Sequence, residues 1–470
     1  MSIEDVKNKY EWIKRLDTVC DLFEAALATG ATRLEDLDMP ALLEQLSDYQ
    51  KETFNMVQPE LVQAALKPKN RNALLYHVRA FKQYLNDLCE RIDQGAPVVY
   101  HYFVMTPEIF WGLGVAPICY ELMAIYCSAI FKQGMTPEID YTEQLGYPHH
   151  LCAAQKGTYG GMLTGKIPKP DLLIKHSAPC DPSSMLFQAT AKYYNVPIIT
   201  IESPYYTNAS AFNFYVDEWY RMIKDLELLT GYTLKEELLR RHVEWGNEAL
   251  RFYYMLEELR KNIPNPDPGM HRIYDTATLV TLGCNPKQID YFKKIYEEAA
   301  ERAKKGEGVI PKDKKEIRAL WGYAWQAWDL ALFDWLEEQF GHTYLHCGLT
   351  YFPPELTGFV DTSSRDSMIE GLAWRAFNFP MARQVMSYSD IWINDYVHLA
   401  KAYKADCVVF AGHMACKHWW ALNKLLSDAL MDKAGIPTLR FETDMFDSRF
   451  TPKSEIYRIM EEYFGTFEKL

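Results

Sequence analysis

The chain has 470 residues, which is too long for one ordinary hydrophobic core and predicts two or three domains. Its formal net charge is −13 and no strongly basic run occurs, which argues against nucleic acid or an anionic membrane surface as a partner. The first residues contain no apolar signal region and no apolar stretch reaches membrane-spanning length, so we expect a cytoplasmic protein.

The first part of the chain divides into a helical region and an α/β domain. Residues 1–95 are predicted to be helical, because apolar side chains recur at three- and four-residue spacing. We expect this region to wrap the outside or to form a subunit contact. Residues 96–262 are predicted to form a first α/β domain, which begins with a buried strand at 98–104. It ends in a long helical section, 216–261, that is interrupted at Gly231.

A second α/β domain follows a linker. Residues 263–269 read Ile-Pro-Asn-Pro-Asp-Pro-Gly and form the clearest linker of the chain. The second domain is predicted to span residues 270–470. It has strands at 317–322 and 343–347 and a helix at 325–340, whereas 276–282 fits a strand or a helix. Because strands alternate with helices, we expect an α/β fold with a parallel sheet in each domain.

One structural unit occurs twice, at residues 170–202 and 405–442. Each copy reads as an apolar strand, a loop that ends in a cysteine, a helix and a second apolar strand. This is a parallel βαβ unit with Cys180 or Cys416 after the carboxyl end of a strand, where open α/β sheets place their chemistry. Two such loops could face each other across a cleft and share one bound group.

The cysteines suggest the kind of group. Cys180 and Cys416 precede predicted helices, and Cys152 is predicted to lie one turn into another, where the helix start favours a thiolate. Three converging thiolates suit an iron–sulfur cube and would leave one iron open to another ligand. Core thiols and a catalytic thiol remain alternatives, because separations of 28 and 236 residues follow no local spacing rule.

The other cysteines are interpreted more simply. There are ten in the chain and none forms a CxxC pair, which argues against a disulfide framework and against a structural zinc site. Cys20 and Cys89 lie on predicted helices and Cys407 lies inside a predicted strand, so we expect these three to be core residues.

Four segments resemble the 2-hydroxyacyl-CoA dehydratase and benzoyl-CoA reductase family. They are Tyr141-Thr-Glu-Gln-Leu-Gly-Tyr-Pro before Cys152, the Pro-Asp strand from Pro168 to Cys180, Asn195-Val-Pro-Ile-Ile-Thr-Ile-Glu-Ser-Pro-Tyr205, and the stretch from Cys416 to Phe441-Glu-Thr-Asp-Met-Phe-Asp-Ser-Arg449. The resemblance covers most of the chain from about residue 97. It does not include the first 95 residues, and it is poor over 323–365, where the family shapes its substrate pocket.

The resemblance implies two Rossmann-like or flavodoxin-like parallel-sheet domains with a [4Fe-4S] cluster between them, held by Cys152, Cys180 and Cys416. It also implies a related second subunit, an acyl-CoA substrate and a separate ATP-hydrolysing [4Fe-4S] activator that delivers one electron at low potential. The chain has no Gly-rich phosphate loop of the P-loop kind, which agrees with ATP use by a partner.

The expected activity is the radical dehydration of a 2-hydroxyacyl-CoA through a ketyl radical. The alternatives are a dearomatising reductase subunit of the benzoyl-CoA reductase type, a non-catalytic electron-relay subunit and a clusterless paralogue kept for assembly.

Several polar residues are candidates for acid–base or positioning roles. His176 and Ser177 lie in the Cys180 loop and His413 lies in the Cys416 loop, where each could donate a hydrogen bond to a cluster sulfur or the thioester oxygen. Loop stabilisation is the alternative for all three. Glu202 and Glu442 end the second strands of the two units and are placed either for acid–base work or for helix capping.

Tryptophans and a terminal charged motif complete the candidates. Trp321, Trp325, Trp328 and Trp335 have a spacing that is typical of a helix packing face, with Trp321 or Trp325 lining an acyl pocket as the alternative. An aromatic pocket would suit radical chemistry, because it excludes water. Three further residues are expected to form a structural ion-pair set: Asp444, Asp447 and Arg449.

Overall fold

The structure is a computed structural model that describes residues 2–282, 285–322, 325–385 and 389–467. The helices of the first half are α1 (Ile3–Lys9), α2 (Glu11–Ala28), α3 (Met39–Glu44), α4 (Asp48–Met56), α5 (Pro59–Leu66), α6 (Pro68–Asp93), α7 (Glu108–Leu113), α8 (Leu122–Ile130), α9 (Thr136–Gln144), α10 (Ala153–Leu163), α11 (Asp181–Tyr194), α12 (Ala209–Thr230) and α13 (Glu236–Arg260). Its strands are β1 (Val98–His101), β2 (Ala116–Cys119), β3 (Leu172–His176) and β4 (Ile198–Ile201).

The second half has a corresponding set of elements. Its helices are α14 (His271–Val280), α15 (Pro286–Lys304), α16 (Ala331–Phe340), α17 (Pro354–Thr357), α18 (Arg365–Phe377), α19 (Pro380–Val385), α20 (Ser389–Ala402), α21 (Lys417–Ala434) and α22 (Lys453–Phe464). Its strands are β5 (Ile317–Trp321), β6 (His342–Cys347), β7 (Cys407–His413) and β8 (Thr438–Thr443). No helix in the described part of the chain is both long enough and apolar enough to cross a membrane.

Each half contains one four-stranded parallel sheet, and the two sheets have the same strand order. The first runs β2-β1-β3-β4 and the second β6-β5-β7-β8, with every paired strand parallel. This is the beginning of the flavodoxin-like order, in which the direction of winding reverses between the first and third strands. The predicted α/β class with two parallel sheets is confirmed, and the repeated unit corresponds to β3-α11-β4 and β7-α21-β8.

The N-terminal region is helical, as its periodicity predicts, but it does more than wrap the outside. Helix α6 packs against α2, α14, α15 and β2, and its buried face continues the hydrophobic core of both halves. At its start, Lys69 Nζ lies 2.7 Å from Asp334 Oδ1 of α16, and Asp334 is buried. The region is therefore tied into the second half by burial and by charge.

Strand β2 was not foreseen from the sequence. The stretch 112–118 reads as a turn, because only four apolar residues follow a glycine and one of them is a proline. Gly114 does turn the chain, at a φ of 90°. Pro117 is tolerated in the strand because β2 is the edge of its sheet, where a missing N–H costs no interior hydrogen bond.

Two boundaries in the second half also differ from the sequence expectation. The helix predicted over 325–340 begins only at Ala331, because residues before it pack as an irregular segment in which Trp328 Nε1 donates to the carbonyl oxygen of Asp444 at 2.9 Å. The ambiguous stretch 276–282 lies mostly in helix α14. Apolar runs of that length fit either element, so packing decides.

Most of the predicted linker at 263–269 is packed, because residues 265–269 are buried, whereas Ile263 and Pro264 are exposed. Asp267 within it is fully buried and accepts a hydrogen bond from Arg260 Nε at 2.9 Å. Arg260 also pairs with Asp275 of α14, and Arg272 pairs with the same two carboxylates. This buried ion cluster fixes the path of the chain from the first sheet to the second.

Candidate functional site

The carboxyl ends of the central strands of both sheets border one cavity of about 180 Å³. Phe103 follows β1, Cys180 follows β3, Trp325 follows β5, and His413 and Cys416 end or follow β7, and all five line the cavity. The positions after β1 and β3, and after β5 and β7, are where the strand order reverses in each sheet. Open α/β sheets bind their ligands at such points, so two sites of this kind share one space.

The structure brings the three predicted cysteines to this cavity. Cys152, Cys180 and Cys416 all line it and are the N-cap residues of α10, α11 and α21. Cys152 is thus the residue before its helix, not one turn into it as the sequence indicates. Two thiols come from the first half and one from the second, so a group bound by all three would bridge the halves.

Burial dominates the acidity of these thiols. It raises the pKa of Cys152 well above its usual value, and the charges of Asp444 and Cys180 act in the same direction. Burial also raises the pKa of Cys180, with Cys416 as the next cause. Backbone N–H groups at the helix starts lower both pKa values, as expected, but by less than burial raises them. Thiolates here would need a bound cationic centre, which deprotonates coordinating thiols.

His413 is positioned to act on one of these thiols. Its Nε2 lies 3.3 Å from Cys152 Sγ, and its Nδ1 accepts a hydrogen bond from the backbone N–H of Met445 at 3.3 Å. Burial lowers the pKa of His413 and keeps the ring neutral. Since Nδ1 is the acceptor, Nε2 carries the proton and donates it toward the sulfur. Donation from His413 to a cluster sulfur or to the thioester oxygen stays a prediction, whereas in the structure its donor faces Cys152 Sγ.

Other cysteines are buried inside the protein, and one of them also lines the cavity. Cys20 of α2 also lines the cavity and is buried, whereas Cys407 is fully buried inside β7. Cys119 donates to Glu121 at 3.4 Å and Cys347 contacts Thr350 Oγ1 at 3.5 Å. Cys284 lies outside the described residues. Within those residues, no three His, Cys, Asp or Glu side chains are grouped so as to hold a single metal ion.

The other predicted site residues, His176, Ser177 and Glu202, lie at the carboxyl ends of β3 and β4. His176 is buried against α12 and its Nε2 lies 2.9 Å from Tyr215 Oη. Ser177 Oγ donates to Glu202 Oε1 at 2.9 Å and accepts from the backbone N–H of Ser203 at 3.0 Å. Glu202 is exposed to solvent. Among the described residues that line the cavity none of these three appears. The contacts of His176 and Ser177 stabilise the loop, and the proposed roles of all three residues stay predictions.

The tryptophans and the residues of the terminal charged motif have different positions and contacts in the structure. Trp325 lines the cavity, whereas Trp321 is fully buried in β5 and its Nε1 donates to His342. Trp335 alone of the four lies on α16, so the predicted packing face is wrong. Arg449 pairs with Asp447 at 2.7 Å and with Asp140 at 2.8 Å, as an ion-pair set requires. Asp444 instead accepts backbone N–H bonds that shape the loop after β8.

Glu121 lines the cavity and was not foreseen from the sequence. It is buried, and its carboxyl accepts hydrogen bonds from Gln155 Nε2 and Cys119 Sγ. Burial raises the pKa of Glu121 from 4.5 to about 7. Glu121 follows β2, and it was not a candidate from the sequence because that strand was not predicted. A carboxyl with this pKa can hold or release a proton near neutral pH.

Replacing Glu121 with Gln should remove one source of pH dependence from the stability. The folded state holds the proton that the unfolded state loses near pH 4.5, so this contribution is complete below 4.5 and is lost as pH rises through about 7. The wild type should therefore lose about 3 kcal/mol more than the variant between pH 4.5 and 8. Chemical denaturation across this range measures it, and parallel curves for the two proteins would contradict the raised pKa.

Two flavodoxin-like halves that share a cavity lined by three cysteines define an α/β protein with a ligand site between two parallel sheets. The chain matches the family described as 2-hydroxyglutaryl-CoA dehydratase, D-component, over residues 102–462. It therefore belongs to that family.

Curated relatives are similar at low identity. The alpha subunit of lactoyl-CoA dehydratase from Anaerotignum propionicum is 20% identical over an alignment of 406 residues, which covers 78% of this chain and 90% of that protein. The (R)-phenyllactyl-CoA dehydratase alpha subunit from Clostridium sporogenes is 20% identical, covering 73% of this chain and 82% of its own. The alpha subunit of (R)-2-hydroxyglutaryl-CoA dehydratase from Acidaminococcus fermentans is 21% identical, with 60% and 57% covered.

Proposed function

We propose that this chain is the substrate-binding subunit of a 2-hydroxyacyl-CoA dehydratase and that Cys152, Cys180 and Cys416 hold a [4Fe-4S] cluster. The single observation that carries the proposal is the convergence of these thiols, from both halves, on an apolar cavity at the strand ends. The family assignment and the names of the relatives, all alpha subunits of acyl-CoA dehydratases, agree with it.

The chemistry of the donor set fits the group. Cysteine thiols are the ligands that iron–sulfur clusters use, and a cube held by three of them leaves one iron for another ligand. When bound, the cluster would supply a low-potential electron and an iron with an open coordination position. The cavity that these cysteines line would also hold the acyl thioester.

The residues of the chain would orient a cluster ligand, exclude water from the substrate and exchange a proton. His413 donates toward Cys152 Sγ and would fix the orientation of that ligand. Phe103, Trp325, Phe379 and Phe446 line the cavity and would keep water from a substrate radical. Glu121 provides a carboxyl in the same cavity that can exchange a proton near neutral pH.

The proposal includes partners. An alpha-type subunit implies a related second subunit, and one-electron chemistry needs a separate ATP-hydrolysing [4Fe-4S] activator as the source of the electron. The sequence has no P-loop of its own, so ATP would act on that activator.

An anaerobic assay tests the function. The protein, with the subunit that co-purifies, is mixed with activator, ATP, a strong reductant and a panel of 2-hydroxyacyl-CoA thioesters and benzoyl-CoA. We expect one or more hydroxyacyl-CoA thioesters to lose water, seen by mass spectrometry as the enoyl-CoA, and omission of ATP to abolish the reaction. Reduction of benzoyl-CoA without loss of water from any hydroxyacyl-CoA would assign a dearomatising reductase instead.

Spectroscopy tests whether this subunit is the one that binds substrate. Adding the thioester that is turned over should change the electron paramagnetic resonance or Mössbauer spectrum of the reduced protein, with one iron becoming distinct. Free CoA at the same concentration is the control and should leave the spectrum unchanged. A spectrum that contains cluster signals but does not respond to the turned-over thioester would assign an electron relay.

A further inference from the structure

A large part of the cavity wall comes from outside the matched family region. Helices α2, α5 and α6 all precede residue 102, where the match begins, yet they line the cavity together with α14. The contributing side chains are apolar and mostly buried: Val19, Phe23, Leu61, Leu74, Val78 and Phe81. We call the residues that α2, α5, α6 and α14 contribute the helical wall, to distinguish them from the strand-end loops that carry the cysteines.

Most polar groups of the helical wall are already engaged within the protein, whereas the buried hydroxyl of Tyr274 in α14 has no hydrogen-bond partner among the described residues. His77 Nδ1 lies 2.9 Å from Thr278 Oγ1, and its Nε2 lies 3.2 Å from Tyr126 Oη. Burial lowers the pKa of His77 to about 3, so the ring is neutral. Thr281 Oγ1 donates to the carbonyl oxygen of Ala277 within α14. A ligand that reaches this wall therefore meets apolar atoms, the phenol hydroxyl of Tyr274, and polar side chains that are bonded to one another.

Charge is confined to the other wall. Among the described residues that line the cavity, the Asp, Glu, Lys and Arg side chains are Glu121, Asp181 and Lys417, and none belongs to the helical wall. Asp181 and Lys417 directly follow Cys180 and Cys416 in the sequence. A carboxylate at the far end of an acyl chain would thus be buried at the helical wall without a cation, which is strongly unfavourable.

We propose that the helical wall is the acyl-tail site and that it selects thioesters with an uncharged, apolar tail over those with a terminal carboxylate. The inference rests on the proposed function, because the acyl-CoA must enter from the strand-end loops for its tail to reach this wall. It assigns the substrate choice of this chain mainly to α2, α5 and α6, which lie outside the region matched by the family, together with α14, which lies inside it.

Valeryl-CoA and glutaryl-CoA make the sharpest pair of probes. They have the same number of acyl carbons and differ at the end of the tail, where a methyl group stands in place of a carboxylate. Calorimetric binding to the anaerobically purified protein, with any co-purifying subunit, should give a dissociation constant at least about 100-fold lower for valeryl-CoA. Affinity should also rise by up to about fourfold for each methylene from acetyl-CoA to valeryl-CoA.

Two variants localise the effect to the wall. Ala277→Phe fills the cavity from α14 and should remove most of the valeryl-CoA advantage over acetyl-CoA, whereas Ala28→Phe, at the exposed end of α2, should retain it. Phe23→Ala should raise the ratio of octanoyl-CoA to valeryl-CoA affinity. This ratio is measured within one protein, so a partly unfolded fraction does not affect it.

The outcomes separate the two proposals. Equal affinities for valeryl-CoA and glutaryl-CoA, or an Ala277→Phe variant with unchanged tail dependence, would overturn the assignment of the tail site while leaving acyl-CoA binding intact. Binding of none of these thioesters, and none by the hydroxyacyl-CoA panel, would overturn the proposed function itself.

Discussion

Serine in place of Cys180 or Cys416 should abolish iron binding. Anaerobically purified wild type is expected to contain about four iron and four sulfide per chain, which is the composition of a cube. Each variant removes one of three thiols that converge from both halves, and a serine hydroxyl is a poor substitute for a soft thiolate ligand. Iron and sulfide analysis and the visible absorption of the purified proteins measure the loss.

Two cysteines serve as matched controls. Cys20 lines the same cavity from α2, and Cys407 is buried within β7. Cys20→Ala and Cys407→Ala should both retain iron, and Cys407→Ala should cost roughly 1–2 kcal/mol of stability as a small core truncation. Full iron content in both serine variants would show that the ligands are assigned wrongly. Loss of iron in Cys20→Ala would instead identify a fourth protein ligand and close the proposed open iron.

The largest stability effect is expected at Arg260. This residue is fully buried, and Arg260→Met leaves the buried carboxylates of Glu257, Asp267 and Asp275 with Arg272 as the one arginine of the cluster. Removing one member of a buried ion cluster typically destabilises by about 3–5 kcal/mol, because the remaining charges stay buried and are no longer balanced. The cluster also fixes residues 263–269, so the connection between the halves should loosen. Chemical denaturation measures the loss.

Arg251→Met is the matched control. Arg251 lies on the same helix, α13, and pairs with Glu248, but both side chains of that pair are more than 40% exposed. A surface pair of this kind contributes little, so the control should change stability by less than about 1 kcal/mol. If the two variants unfold at the same denaturant concentration, the buried cluster does not hold the linker as we infer.

The sequence was most informative where a local pattern determines structure. The two apolar strands that precede Cys180 and Cys416 are short, buried and followed by helices, so period and punctuation suffice to place both cysteines at strand ends. Parallel pairing then brings strand ends to one edge of each sheet. His413 was a candidate for the same reason, because it closes β7.

The sequence was least informative where long-range packing decides. Nothing local to α6 indicates that Val78 or Phe81 lines the same cavity as Cys416, which lies more than 300 residues later in the sequence. An apolar helix face has the same sequence pattern whichever core it packs against. His176, Ser177 and Glu202 were candidates because they end a strand or directly follow one, and a related reason explains why none of them lines the cavity in the described part of the chain. A strand-end loop has two sides, and the side that a residue takes depends on backbone detail that composition does not encode.

The shared wall has an evolutionary consequence. One face of α6 packs on α2, α15 and β2, where Tyr84 Oη donates to the Pro117 carbonyl oxygen, and substitutions there would disturb the fold. The face that carries Leu74 and Val78 borders the cavity, so substitutions at these positions would disturb the fold less. Selection can therefore act on the two faces of one helix separately. Substitutions at a few N-terminal positions could therefore change the substrate specificity in one lineage, while the cysteines and the strands are retained.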